Sequence, residues 1–210
     1  MQMLIQQTSR YLIAATAWVV GAVSSMCAFF FLTSVAAYLF VPVDQQRMEK
    51  TLAVISMAVV ASDELREKQI QASIKRLFPH AEEIEKLPYW ILSAAQMHDL
   101  DPFLLTSVIA QESSFRVNVT SWAGAVGLAQ IKPNFWQDEC GLDVSDPYNN
   151  VICSAFVLKT FKDRYKKLDK ALAMYNVGPG NYQRSARYRA AGYRYASSVM
   201  SYNSRFTTSG

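Results

Sequence analysis

The chain has 210 residues, 51% of them hydrophobic and 18% charged, enough for one full domain with an appendage and too apolar for a disordered chain. Three Cys and two His exclude a disulfide scaffold and a histidine-based metal cluster, and no Cys or His spacing fits a zinc site, so neither metal nor cofactor is expected. The net charge of +4 is unevenly spread, −5 over residues 1–150 and +9 over residues 151–210, which suits the C-terminal end to an anionic neighbour or to a solvated basic face.

In chain order, the first feature is a run of 33 residues without a charge, Tyr11 to Val43. A helix crossing a bilayer needs about 20 apolar residues. The apolar core of a cleaved signal peptide has only about 7–15. The expectation is therefore an uncleaved N-terminal membrane anchor over residues 1–43, touching lipid through residues 11–41. Charge does not orient it, because Arg10 on one side is balanced by Arg47 and Lys50 on the other. Cys27 reads as a small apolar residue within it. Thr51 to Ser62 is a second apolar run, of 12 residues, too short to span and expected as a core or interfacial helix. Residues 44–86 together form a helical stalk or packing segment. Ile70, Ile74 and Leu77 give it one apolar stripe, and Phe78-Pro79-His80 ends it. His80 and His98 read as surface or packing residues.

From Leu87 the pattern is a series of short helices. Leu87–His98 is one. Asp101-Pro102 opens the next, with Asp as cap and Pro at the first helical position. Ile152–Leu168 is a third. Asp169 caps a fourth, Lys170–Asn176, which Gly178-Pro179-Gly180 stops. No strand-like alternation of any length appears, so the fold class is mainly α.

Leu104, Val108 and Glu112 are spaced i, i+4, i+8 and share one face of the helix opened at Asp101. Glu112 thus emerges from an apolar stripe. Desolvation there raises a carboxyl pKa, which a general acid near neutral pH requires. A partly solvated glutamate at a helix end is the plainer alternative. Beyond it comes a turn rich in small residues, Ser121 through Gly127, Leu128 and Gln130, where the backbone passes close to a neighbour or ligand. The Gln130 amide offers donor and acceptor to sugar hydroxyl and amide groups. Tyr175-Asn176 sits just before the Gly178 turn, where a phenol could reach the Glu112 carboxyl and an amide could bind a polar substrate.

In this order the residues resemble the catalytic domain of the soluble-lytic-transglycosylase type, in the lysozyme-like superfamily and related to goose-type lysozyme. The resemblance covers about residues 87–182. It rests on Glu112-Ser113, on Gly127-Leu128-x-Gln130 and on Ala173-x-Tyr175-Asn176, with Leu100-Asp101-Pro102 and Asp146-Pro147…Asn150 in support. The chain departs at Ala129, where the family often carries Met or Phe.

The resemblance implies a lysozyme-like domain that cleaves the β-1,4 bond between N-acetylmuramic acid and N-acetylglucosamine in peptidoglycan. Glu112 would act as acid and then base, and the muramoyl C6 hydroxyl would close on C1 to give a 1,6-anhydro product. Ser113, Gln130, Tyr175 and Asn176 would bind substrate, Tyr175 also holding Glu112 in place. Gly127, Leu128 and Ser121 would support them. Two-carboxylate glycosidases position a water instead, so a hydrolytic muramidase is the alternative, with Asp138, Glu139, Asp143 and Asp146 as candidate partners. Asp146 reads rather as a helix cap. A noncatalytic glycan-binding module is a second alternative. Cys140 and Cys153 are a possible disulfide in a domain facing the periplasm. Residues 183–210 form a basic aromatic tail, in which the tyrosines pack and the arginines face water or wall and membrane anions. Nucleic acid is not expected as a partner. The domain would face peptidoglycan from a bacterial inner membrane, a phage virion or a phage-infected cell.

Overall fold

The computed structural model describes residues 44–81 and 84–208. The expected anchor over 11–43 lies outside the described residues. Among the described residues no helix is long and apolar enough to cross a membrane. The chain divides into two units at Ser56 and Met57. The described part of the first, residues 44–56, is the exposed beginning of helix α1. The second contains everything that follows.

The helices are α1 (Gln45–Leu77), α2 (Leu87–Met97), α3 (Pro102–Ser113), α4 (Pro133–Cys140), α5 (Pro147–Tyr165), α6 (Leu168–Arg184) and α7 (Ala186–Thr207). Strand-like pairing among the described residues consists of two isolated antiparallel bridges, Thr120 with Val126 and Val126 with Ile131. They hold the segment between α3 and α4 in a small three-part ladder, called the wing below.

The starts of α3 and α5 follow directly from Asp-Pro pairs. The Asp101 carboxylate accepts from Phe103 N at 3.0 Å, and Asp146 accepts from Asn149 N at 2.9 Å. Each satisfies an amide that the first turn leaves unpaired, a contribution of about 1 kcal/mol. Capping therefore extends α5 five residues ahead of the expected start at Ile152. Asp169 does not cap α6 from outside. It sits in the first turn, its carboxylate accepting from Lys170 N at 2.7 Å, while Lys167 holds the cap position. The Gly178-Pro179-Gly180 sequence interrupts α6 as expected: Gly178 takes φ 73°, ψ 153°, outside the helical region, which glycine tolerates without strain, and a second helical stretch follows the kink to Arg184.

α3 lies in the core: Leu105, Val108 and Ile109 are fully buried, packed with Ile91 of α2, Leu158 of α5, Leu172 of α6 and Val199 of α7. Each such side chain contributes about 1.5–3 kcal/mol of burial. The end of α1 joins this core through Ile70 and Ile74. Phe78 then meets the ring of Phe115 edge-on at 5.0 Å, with Tyr202 of α7 at 5.5 Å. The stretch from about Ile70 is thus a packing segment of the domain and not a stalk. The apolar run Thr51–Ser62 is not part of the described core: Leu52, Val54, Ile55, Met57, Val59 and Val60 are all exposed.

The described residues beyond 183 are likewise no tail. Ala186–Thr207 build α7, whose residues Gly192, Tyr195, Ala196, Val199 and Phe206 are buried. Gly192 makes this possible, since a Cβ there would stand 2.9 Å from the Ala173 Cβ of α6. The domain therefore extends well past Tyr182. The expected division holds in part: Tyr195 packs and Arg187, Arg194 and Arg205 stay exposed, but Tyr188 and Tyr193 are exposed as well.

Candidate active site

Glu112 is the penultimate residue of α3. Behind it the helix is stopped abruptly, by Ser114 at φ 52° and Phe115 at φ 65°. Two successive non-glycine residues in the left-handed region are uncommon, and for a bulky phenylalanine the conformation is strained. Full burial of Phe115 against Phe78 holds it there. The stop fixes where the Glu112 side chain leaves the helix.

The Glu112 residue keeps a partly open face while its surroundings desolvate the carboxyl. Burial pushes the carboxyl pKa up to about 7, against an opposing hydrogen bond from Tyr195. The Tyr195 hydroxyl donates to Glu112 Oε1 at 2.7 Å. Burial first, and the Glu112 charge second, hold the Tyr195 phenol well above its ordinary range, so it remains a donor at any pH the protein experiences. Glu112 is thus half protonated near neutrality and fixed in direction.

Tyr175 does not hold Glu112. Its hydroxyl donates to Ala129 O at 2.9 Å and lies 3.1 Å from Ser154 Oγ. Its ring stacks on Tyr195 instead, with centroids 6.4 Å apart and planes 10° from parallel. The reach explains the exchange: Tyr175 is committed to the wing, and the partly parallel ring of α7 fills the place next to the acid. Sequence reasoning missed Tyr195 by assigning it to a tail. The available signal was the helical spacing of Gly192, Tyr195, Ala196 and Val199 amid exposed arginines and serines.

The wing is built by polar side chains working on backbone. Gln130, itself at φ 51°, donates from Nε2 to Gly127 O at 3.0 Å and to Val119 O at 3.2 Å. The donors of its amide are thereby turned inward, away from the glycan role expected of them. Ser121 Oγ accepts from Ala125 N at 3.0 Å. Asn150, fully buried at the start of α5, makes three bonds to the wing and its neighbour. Its Nδ2 donates to Val126 O and Val144 O, and its Oδ1 accepts from Ala129 N at 2.8 Å. Gly127 leaves room for that amide, since a Cβ there would stand 2.7 Å from Asn150 Nδ2. Leu128 is fully buried.

Ser113 is buried, its hydroxyl directed to Ile109 O of its own helix at 3.4 Å, while its carbonyl accepts from Arg116 Nε at 2.9 Å. It supports the helix end and does not present its hydroxyl to an open surface. Asn176, by contrast, is exposed just ahead of the Gly178 kink. Of the other carboxylates, Asp138 and Glu139 are exposed on α4, Asp143 accepts from Ser145 N and Oγ, and Asp146 caps α5. Cys140 and Cys153 are bonded, with sulfurs 2.01 Å apart, tying the end of α4 to α5. His98 packs its ring edge-on against Phe156.

The family model described as the transglycosylase SLT domain matches residues 89–197. A transglycosylase of Enterobacteria phage PRD1 is 34% identical over 94 residues, which cover 44% of this chain and 36% of that protein. A solved inactive mutant of the lytic transglycosylase Slt from Pseudomonas aeruginosa superposes with a TM-score of 0.50 at 20% identity, covering 64% of this chain and 25% of that one. The second likeness is one of fold. This chain thus spans about a third of the phage protein and a quarter of the bacterial one.

Proposed function

This chain belongs to the transglycosylase SLT family, and we propose that it is a peptidoglycan lytic transglycosylase in which Glu112 alone serves as acid and then base. The observation that carries this reading is a carboxyl poised near pH 7 by burial and held by Tyr195. A group in that state supplies a proton to a glycosidic oxygen and, once ionised, accepts one. It would protonate the oxygen between N-acetylmuramic acid and N-acetylglucosamine. The resulting carboxylate would take the proton of the muramoyl C6 hydroxyl as that oxygen bonds to C1. The bond to the leaving sugar breaks, and the products are a 1,6-anhydromuramoyl end and a free N-acetylglucosamine hydroxyl. No water is consumed.

Tyr195 positions the acid and Tyr175 braces Tyr195 against the wing. Asn176, the exposed amide that follows Tyr175, is the group that binds the glycan. Gln130, Ser121, Gly127 and Leu128 keep the wing in shape. The positions of the other carboxylates favour the single-acid route over hydrolysis, because Asp143 and Asp146 are committed to local backbone and Asp138 and Glu139 are solvated. The uncharged run from Tyr11 to Val43 supports a membrane anchor with the domain facing peptidoglycan. The Cys140–Cys153 bond fits an oxidising compartment outside the cytoplasm, and likeness to a phage protein favours action from a virion or an infected-cell membrane.

Digestion of purified peptidoglycan with the full chain, beside Glu112→Gln, tests the reading by mass spectrometry of the muropeptides. Products one water lighter than hydrolysed ones, absent with the variant, are expected. Reducing ends would assign hydrolysis instead.

A further inference from the structure

Trp122 is fully exposed, at 100%, yet the turn that carries it is tightly made. Ser121 N donates to Ala125 O at 2.8 Å, Gly124 N donates to Ser121 O at 2.9 Å, and Ala125 N donates to Ser121 Oγ at 3.0 Å. The fold thus spends three hydrogen bonds on fixing a turn whose largest side chain is left out of the core. A single exposed apolar residue needs no explanation by itself. The position of this one does.

Thr120 and Ile131 both pair antiparallel with Val126. Two antiparallel partners of one segment run parallel to each other, so the chains that follow Thr120 and Ile131 leave the wing at the same end. Trp122 comes two residues after the first. Phe135 comes four residues after the second and is 69% exposed. Two exposed aromatic residues thus follow the segments that leave the wing at one end, Trp122 in the turn and Phe135 in the first turn of α4. At a rise of about 3.3 Å per residue, Trp122 stands within about 10 Å of the ladder. Ala129 lies in the turn that joins Val126 to Ile131, at the other end of the wing, and its carbonyl accepts from Tyr175, the ring stacked on the tyrosine that holds Glu112, so the ladder stands between Trp122 and the acid's surroundings.

An indole presents a broad apolar face with one N–H at its edge. A pyranose ring presents a face of C–H groups rimmed by hydroxyl and amide groups, and the two fit. The neighbours Ala123 and Gly124 are too small to obstruct that face. We propose that Trp122, with Phe135 at the same end of the wing, is a platform on which an N-acetylhexosamine ring of the glycan strand stacks, away from the bond that is cut. The inference rests on the proposed function for its ligand, and it adds a residue that lies in none of the three catalytic motifs.

The platform is tested on the full chain in two ways. In Glu112→Gln, which does not consume its ligand, an N-acetylglucosamine tetramer should shift the indole emission and shield it from acrylamide. The double variant Glu112→Gln with Trp122→Phe should show neither change. In kinetics on purified peptidoglycan, Trp122→Ala should raise KM about three- to tenfold with kcat within about twofold. The unfolding temperature should be unchanged, and Trp122→Phe should recover part of the loss. An unchanged KM in an active protein overturns the proposal, as does shielding of Trp122 by phospholipid vesicles and not by the sugar. If the parent chain fails to cut peptidoglycan, the proposed function falls, and the tetramer experiment still decides the platform.

Discussion

The surroundings of Glu112 and the wing around Gln130 are both made of motif residues, and they use polar side chains in opposite ways. Near Glu112 a side chain acts on a side chain: Tyr195 donates to a carboxyl that burial keeps near pH 7. In the wing, side chains act on backbone: Gln130, Ser121 and Asn150 satisfy amides and carbonyls of the segment from Val119 to Ala129. The first arrangement leaves a proton free to move. The second removes freedom from a stretch with no regular secondary structure to hold it. Residues equally prominent in the sequence thus divide into chemistry and scaffold.

Substitution sharpens the division, and Glu112→Gln has the largest expected effect. Removing a general acid lowers kcat by about 10²–10⁴-fold, read as muropeptide release, with the fold intact by circular dichroism. Tyr195→Phe comes next. Loss of a hydrogen bond to an ionisable group corresponds to about 1.5–3 kcal/mol, roughly a 10- to 100-fold fall in rate. Because that bond lowers the Glu112 pKa, its loss moves the pKa further up. The descending limb of the pH–rate profile should shift to higher pH, a change that mere destabilisation does not produce.

Asn150→Ala breaks the other side of the comparison. It strands three backbone groups of a buried cluster, and about 2–4 kcal/mol of stability should be lost in denaturant unfolding. Its pH–rate limb should stay in place in whatever fraction remains folded. If that limb moves with Asn150→Ala, the two networks are not separate.

The smallest expected effect concerns stability. The Glu112 carboxyl has a raised pKa, so the folded state binds its proton more tightly than the unfolded chain does. The associated stability is present at low pH and declines as pH rises from the ordinary carboxyl value of 4.5 through about 7. Glu112→Gln, which cannot ionise, should therefore be more stable than the parent at pH 8 by about 1–3 kcal/mol and similar to it at pH 4. Thermal unfolding at the two pH values measures the difference.

Much of this was legible before the fold was known, and for identifiable reasons. The Asp101-Pro102 pair announced the start of α3, because a cap and a missing amide are local chemistry, whereas Asp146 read as a cap while the helix itself was expected only from Ile152. The apolar line Leu104, Val108, Glu112 announced the buried acid, because helical spacing fixes a face. Local pattern could not say which tyrosine meets it. Tyr175 and Tyr195 are both buried phenols on helices, and their choice of partner depends on how α6 and α7 cross at Gly192. The Gln130 amide was ambiguous for a related reason. An amide suits a sugar as well as a peptide carbonyl, and only the left-handed turn at Gly127 and Gln130 brings the carbonyls of Val119 and Gly127 within its reach. The glycine-proline-glycine sequence breaks α6 at Gly178 as local chemistry dictates, and what the pattern did not show is the second helical stretch that follows the break to Arg184.

The central claim is that one carboxyl, held by Tyr195, passes its proton near neutral pH. The pH dependence of kcat on purified peptidoglycan, for the full chain beside Tyr195→Phe, addresses it most directly. The account predicts activity that is full on the acid side and falls as pH rises through about 7, with the fall displaced to higher pH in the variant. A descending limb at the ordinary carboxyl value, or one that Tyr195→Phe leaves unmoved, would contradict it.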